Sequence, residues 1–278
     1  MLDRRTLLAS AVALVALPAK SPAQLTHISF KVPVRQGELI VGRTEPGTVV
    51  RLDDKNVPVS VDGYFAFGLP YDQKATSVLE AHFPDGAMER REVTPSLREY
   101  EIQRISGLPE SFVNPPAEIL DRIKSEAESM RNARERVTVA SWFADGFDWP
   151  APGIISSLFG SQRILNGQPR APHLAIDIAA PMGTRIQAPA AGIVSFTGDL
   201  YFDGLFTILD HGQGVSTCYA HQSRILVNPD DKIARGQTIG EVGSTGRVTG
   251  PNLHWGMNWF QVGLDPSLSA NMAKPPKA

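Results

Sequence analysis

The chain has 278 residues with 27 basic and 29 acidic side chains, a formal charge of −2, which excludes nucleic-acid binding through a basic surface. Its 42% apolar and 20% charged residues make a globular composition, and at about 150 residues per domain the length suits two domains. A single cysteine excludes an internal disulfide and any Cys-rich zinc module, so a metal would have to draw on the six histidines and the acids.

Residues 1–23 read as a secretory signal peptide. Arg4 and Arg5 precede an apolar run from Leu7 to Leu17 that is too short to span a bilayer, and Pro18 ends it. Small residues at Ser21-Pro22-Ala23 place the cleavage after Ala23. Arg4-Arg5 also fits a twin-arginine signal, so either export route is open. The expectation is a protein of the periplasm or cell envelope with no membrane anchor after cleavage. Cys218 would then sit unpaired in an oxidising compartment, as a small, inert strand residue.

Residues 24–105 predict short strands at roughly ten-residue spacing, a pattern of immunoglobulin-like β-sandwich type. Ile28, Phe30 and Val32 alternate with polar neighbours, and Leu39-Ile40-Val41 is a short apolar run. Asp62-Gly63 signals a hairpin turn, because both residues tolerate positive φ. Stretches 76–83, 87–93 and 99–105 complete the module, in which His27 and His82 stand isolated. A helical connector follows over 106–148. Pro115-Pro116-Ala117-Glu118 opens its helix, and Ile119, Leu120, Ile123, Ala127 and Met130 repeat at helical spacing to about Arg136. From Trp149 to residue 268 the pattern returns to short strands, with a tail over 269–278. Residues 192–196, 205–209 and 215–221 predict consecutive antiparallel strands, with turns at Asp203-Gly204 and Gly212-Gln213-Gly214.

The last domain holds the chemistry. His173 and Asp177 lie four apart in a segment of extended character, which would put 173, 175 and 177 on one strand face around the small Ala175. Asn252 and His254 share a face in the same way, and His221 ends a strand. Two histidines and one aspartate, with water in the fourth position, form the open tetrahedral arrangement of a hydrolytic zinc site. A hydrogen-bonded His–Asp pair without metal fits the first motif equally well.

Several motifs then occur in a fixed order: Trp149-Pro150-Ala151-Pro152-Gly153, Phe159-Gly160, His173 to Asp177, Asp177 to Thr184, Ala188 to Gly192, Asp210-His211-Gly212, Tyr219-Ala220-His221, Gly236 to Gly240 and Ser244 to Trp255. This succession over 149–268 resembles the lysostaphin/LytM-type zinc endopeptidases. The resemblance implies a mainly β chain whose C-terminal antiparallel sheet domain cleaves peptides of peptidoglycan with one Zn2+ ion. It assigns the metal to His173, Asp177 and His254 and a catalytic role to His221, and it makes His211 structural. Asn252 occupies the position of a second catalytic histidine, and an amide cannot shuttle protons near neutral pH. That departure opens a second expectation: a weakly active or inactive wall-binding protein that regulates another cell-wall hydrolase.

Overall fold

The structure, a computed structural model, describes residues 27–272 and 274–276; the expected signal peptide lies outside the described residues. The N-terminal module contains β1 (Ser29–Phe30), β2 (Leu39–Arg43), β3 (Val49–Leu52), β4 (Lys55–Val57), β5 (Tyr64–Gly68), β6 (Ser77–His82) and β7 (Met88–Val93). They form two sheets, β1-β2-β5 and β4-β3-β6-β7, with antiparallel pairing throughout. Alternation drives the layering. Along β6, Ser77, Leu79 and Ala81 are buried while their neighbours are not, so one face of the sheet joins the core. Phe65 and Phe67 lie within that core with Val50, Leu52 and Leu79.

The strand expected at 99–105 forms as β8 (Ile102–Ile105), but it leaves the sandwich. It pairs in parallel with β10 (Gln162–Leu165), which also forms a hairpin with β11 (Gln168–Pro169). The module's last strand therefore belongs to a small sheet beside the C-terminal domain. Its parallel partner lies some 60 residues away, beyond the reach of any turn signal.

The connector holds a short α1 (Glu110–Val113) and α2 (Ala117–Arg134). No residue of α2 is buried, and Met130 and Ala133 rest on an apolar cluster of Leu200, Phe206, Ile208, Cys218 and Ala220. Among the described residues no helix is long and apolar enough to cross a membrane.

The C-terminal domain comprises β9 (Ile154–Ser157), β12 (Ile176–Ala179), β13 (Arg185–Gln187), β14 (Gly192–Leu200), β15 (Gly204–Asp210), β16 (Val215–Ile225), β17 (Lys232–Ile233), β18 (Thr238–Val242), β19 (Asn252–Trp259) and β20 (Val262–Leu264). Its main path runs β17-β14-β15-β16-β19-β12-β9, with β18 joining β13 and β16, and β20 edging β19. The three consecutive strands expected between 192 and 221 are β14, β15 and β16. The buried face carries Ile178, Tyr219, Leu253, Trp255, Met257 and Trp259. The apolar core runs without a break from Ile28 to Leu264. At the junction Arg98 donates to Asp265 Oδ2 at 2.7 Å, and the bare Cα of Gly68 lets β5 approach Leu264, whose Cδ1 lies 2.7 Å from where a Cβ would stand.

Candidate metal centre

Sheet register brings the site together from three strands. On β12, Asp177 is the direct cross-strand partner of His254 on β19, and His254 is in turn the partner of Ala220 on β16, one residue before His221. Alternation on β19 keeps Leu253 and Trp255 in the core and turns Asn252 and His254 to the opposite, half-buried face.

His173 arrives differently from its sequence expectation. The strand begins only at Ile176, so His173 does not share a strand face with Asp177. It sits in the irregular approach to β12, fixed by backbone bonds in which Gly160 N–H donates to the His173 carbonyl and His173 N–H to the Ser161 carbonyl. The outcome is nevertheless convergence. His173 Nε2 lies 3.0 Å from His254 Nδ1 and 3.2 Å from Asp177 Oδ1, and the last two atoms are 3.0 Å apart. Ligand atoms about 2.0–2.1 Å from a tetrahedral zinc lie roughly 3.3 Å from one another, so this triangle fits such an ion with shifts of a few tenths of an ångström.

Proton placement supports the same use. Ser157 Oγ donates to Gln103 Oε1 at 3.0 Å, so it accepts from His173 Nδ1–H at 2.8 Å and leaves Nε2 with its lone pair facing Asp177 and His254. Burial depresses the His173 pKa to about 4, with Asp177 opposing, so the ring is neutral at physiological pH. Burial would raise the Asp177 pKa, but the imidazoles of His173 and His254 beside its carboxylate hold it well below the usual range. The second carboxylate oxygen of Asp177 meets Arg163 Nη2 at 3.2 Å.

Sequence reasoning did not find these supports. Gln103 comes from β8, more than fifty residues from Ser157, and Arg163 from the adjoining hairpin. We expect Ser157→Ala to weaken metal affinity about 10–100-fold, the usual cost of removing a hydrogen bond behind a ligating histidine. Competition with a chromophoric chelator measures it, and unchanged affinity would show that packing alone orients the ring.

His221 lies beside the triad, its ring centroid 5.8 Å from that of His254. β16 carries a bulge here. Tyr219 and Gln222 pair with Thr207 and Leu205, so two residues, Ala220 and His221, oppose Phe206 alone. His221 adopts φ 62°, a conformation costly for a residue with a Cβ, and its N–H donates to the Asp203 carbonyl. Its Nδ1–H donates to the Thr245 carbonyl at 2.8 Å, which leaves Nε2 unprotonated. Burial, and then His254, lower its pKa to about 4, so it is a neutral base near pH 7. The Thr245 loop can stand this close because Gly204, at φ 61°, has no Cβ: one would lie 2.2 Å from Thr245 Oγ1.

Asn252 lines the same cavity as His221 and Asp177. Its Nδ2 donates to the Gly250 carbonyl at 3.0 Å, while its buried Oδ1 has no partner among the described residues. His211 does not join the site. It is fully buried, its Nδ1–H donates to the Ala191 carbonyl at 2.7 Å, and its Nε2 meets Thr217 Oγ1 at 2.7 Å. Burial pushes the Cys218 thiol pKa up, which suits an inert core residue. Half-buried His27 pairs with Glu45, and His82 is exposed on β6; both are remote from this chemistry.

Comparison with known proteins accords with this geometry. The pattern of peptidase family M23 matches residues 171–266. The peptidoglycan DD-endopeptidase ShyA of Vibrio cholerae is 42% identical over 102 residues, 36% of this chain and 24% of that protein. The DD-carboxypeptidase/endopeptidase Mpg of Neisseria meningitidis serogroup B is 43% identical over 83 residues, 30% of this chain and 19% of that protein. The match thus spans a quarter or less of the length of these curated relatives. Likeness to a crystal structure from Pseudomonas aeruginosa assigned to peptidase M23 extends much further. It covers 86% of this chain and 96% of that one, at 30% identity and a TM-score of 0.67. A similarity over that length, together with the family pattern at 171–266, places this chain in peptidase family M23.

Proposed function

We propose that this chain is an exported, zinc-dependent metallopeptidase that hydrolyses peptide bonds of peptidoglycan. The observation that carries the reading is the triangle of His173, Asp177 and His254, whose donor atoms converge at 3.0–3.2 Å. A zinc ion held there would lower the pKa of a bound water toward neutrality and polarise the scissile carbonyl. The chain's own groups supply the rest. His221 offers an unprotonated Nε2 that can take a proton during attack and return it to the leaving amine. Asn252 contributes a fixed amide dipole and no proton transfer. Arg163 steadies the Asp177 oxygen that faces away from the imidazoles. Export to the periplasm or cell envelope is supported by the pattern of residues 1–23.

Asn252 favours a second reading, in which the chain is a catalytically weak or inactive wall-binding protein that regulates another cell-wall hydrolase. Zinc analysis together with digestion of purified cross-linked muropeptides separates the two. One zinc per chain and conversion of cross-linked dimers to monomers are expected. Bound zinc with unchanged muropeptides would replace the first reading by the second, and failure to bind zinc would overturn the metallopeptidase reading.

A further inference from the structure

The cavity beside the metal triad, of about 160 Å³, has more positive charge than its carboxylates can balance. Arg163 enters from β10 with only 17% of its side chain exposed. One of its terminal nitrogens meets Asp177, and its buried Nε has no partner among the described residues. Arg247 enters from the loop before β19. Its guanidinium lies over the Phe202 ring, 4.4 Å from the centroid, and Nη1 donates to the Phe112 carbonyl at 3.3 Å. Among the described residues no carboxylate forms an ion pair with Arg247, and its charge is close enough to that of Arg163 for the two to repel. Asp203 is near enough to attract both guanidinium groups, but among the described residues it forms an ion pair with neither, and burying two such cations is costly unless an anion completes the set. Asp177 has little left to give, since its other oxygen already faces both imidazoles.

The remaining wall is mixed, with Gln103, Ser157, Thr249 and Asn252 beside an apolar patch. Ile105 at the end of β8, Leu108 from the connector and Leu165 from β10 form that patch. A planar, forked cation pair beside a small apolar patch is the complement of a carboxylate on a short aliphatic residue. We propose that Arg163 and Arg247 form a subsite for a carboxylate of the peptide substrate, next to the bond that the metal centre cleaves. The proposal rests on the peptidase reading above. The carboxylate comes either from the chain end of a stem peptide or from the side chain of a dicarboxylic diamino residue within it. Both present the same group to the arginines.

The test uses the full zinc-loaded chain carrying His221→Ala, so that bound peptide is not turned over. Calorimetry compares an acetylated stem tetrapeptide with its terminally amidated and side-chain-amidated forms. One of the two amidated forms is expected to bind about tenfold or more weakly than the free acid, and which one it is identifies the source of the carboxylate. Adding Arg247→Gln should erase that preference by weakening only the acid form, while Arg247→Lys restores part of it. Zinc content and Tm, measured alongside, certify that each variant is folded. Equal binding of acid and amide by the parent protein, or a preference that survives Arg247→Gln, overturns the subsite. Peptide selectivity without any cleavage by the wild-type protein would sink the peptidase reading and leave the subsite standing. Binding of none of the peptides would remove the proposal.

Discussion

Asp177→Ala is expected to abolish stoichiometric zinc binding and to lower kcat/KM on muropeptides on the order of 10³-fold or more. The size of the effect follows from the place of Asp177. Its Oδ1 is the shared neighbour of His173 Nε2 and His254 Nδ1, and it is the one anionic donor of the triad. Without it, two neutral imidazoles are left to hold a dication, and no activated water is available near neutral pH. The same substitution strips Arg163 of its ion-pair partner within the structure. A buried charge left unpaired costs about 3–5 kcal/mol, so Tm should fall together with zinc content. Asp177→Asn, which keeps shape and loses charge, should match the alanine variant in metal loss. Elemental analysis after dialysis and a thermal melt read both effects. Retention of one zinc per chain with activity within tenfold of wild type would remove Asp177 from the ligand set.

The second large effect concerns proton transfer. His221→Ala should reduce kcat roughly 10²–10⁴-fold, the usual contribution of a positioned acid–base group, with zinc content unchanged. Because its pKa is depressed to about 4, His221 is already in the basic form at neutral pH, and activity that depends on it is lost only as the pH falls through that value. Asn252→His should act in the opposite direction and raise kcat by about tenfold or more. The side chain at 252 lines the same cavity as His221, and an imidazole there could exchange protons where the amide cannot. Single-turnover kinetics on a defined cross-linked dimer would separate chemistry from release. A wild-type rate that Asn252→His leaves unchanged or lowers would mean that the site works with His221 as its sole proton carrier.

Much of the site is legible in the sequence because sheet periodicity is simple. His254 and Asn252 share a face at spacing two, and the Tyr219-Ala220-His221 motif falls on a strand as expected, although that strand runs on to Ile225 where the sequence reads as ending at His221. The approach of His173 is not, because irregular chain has no period and its position is set by backbone bonds to Gly160 and Ser161. The bulge that turns His221 toward the triad is likewise invisible, since it depends on how β15 and β16 slip past each other. Gln103 illustrates the widest gap. It lies in a segment that reads as the end of a sandwich, yet it completes the relay behind a metal-facing imidazole through a strand pairing with no local signature.

The unbroken core has a consequence for how the chain unfolds. The sandwich and the C-terminal sheet share apolar side chains from Ile28 to Leu264, and the ion pair of half-buried Arg98 with buried Asp265 spans the seam. Parting the halves would expose that apolar seam to water and break the Arg98–Asp265 ion pair. The shared core couples the stability of the two halves. The core under the sandwich is thus continuous with the sheet that carries Asp177 and His254, and β8 joins it to the hydrogen bond that aims His173.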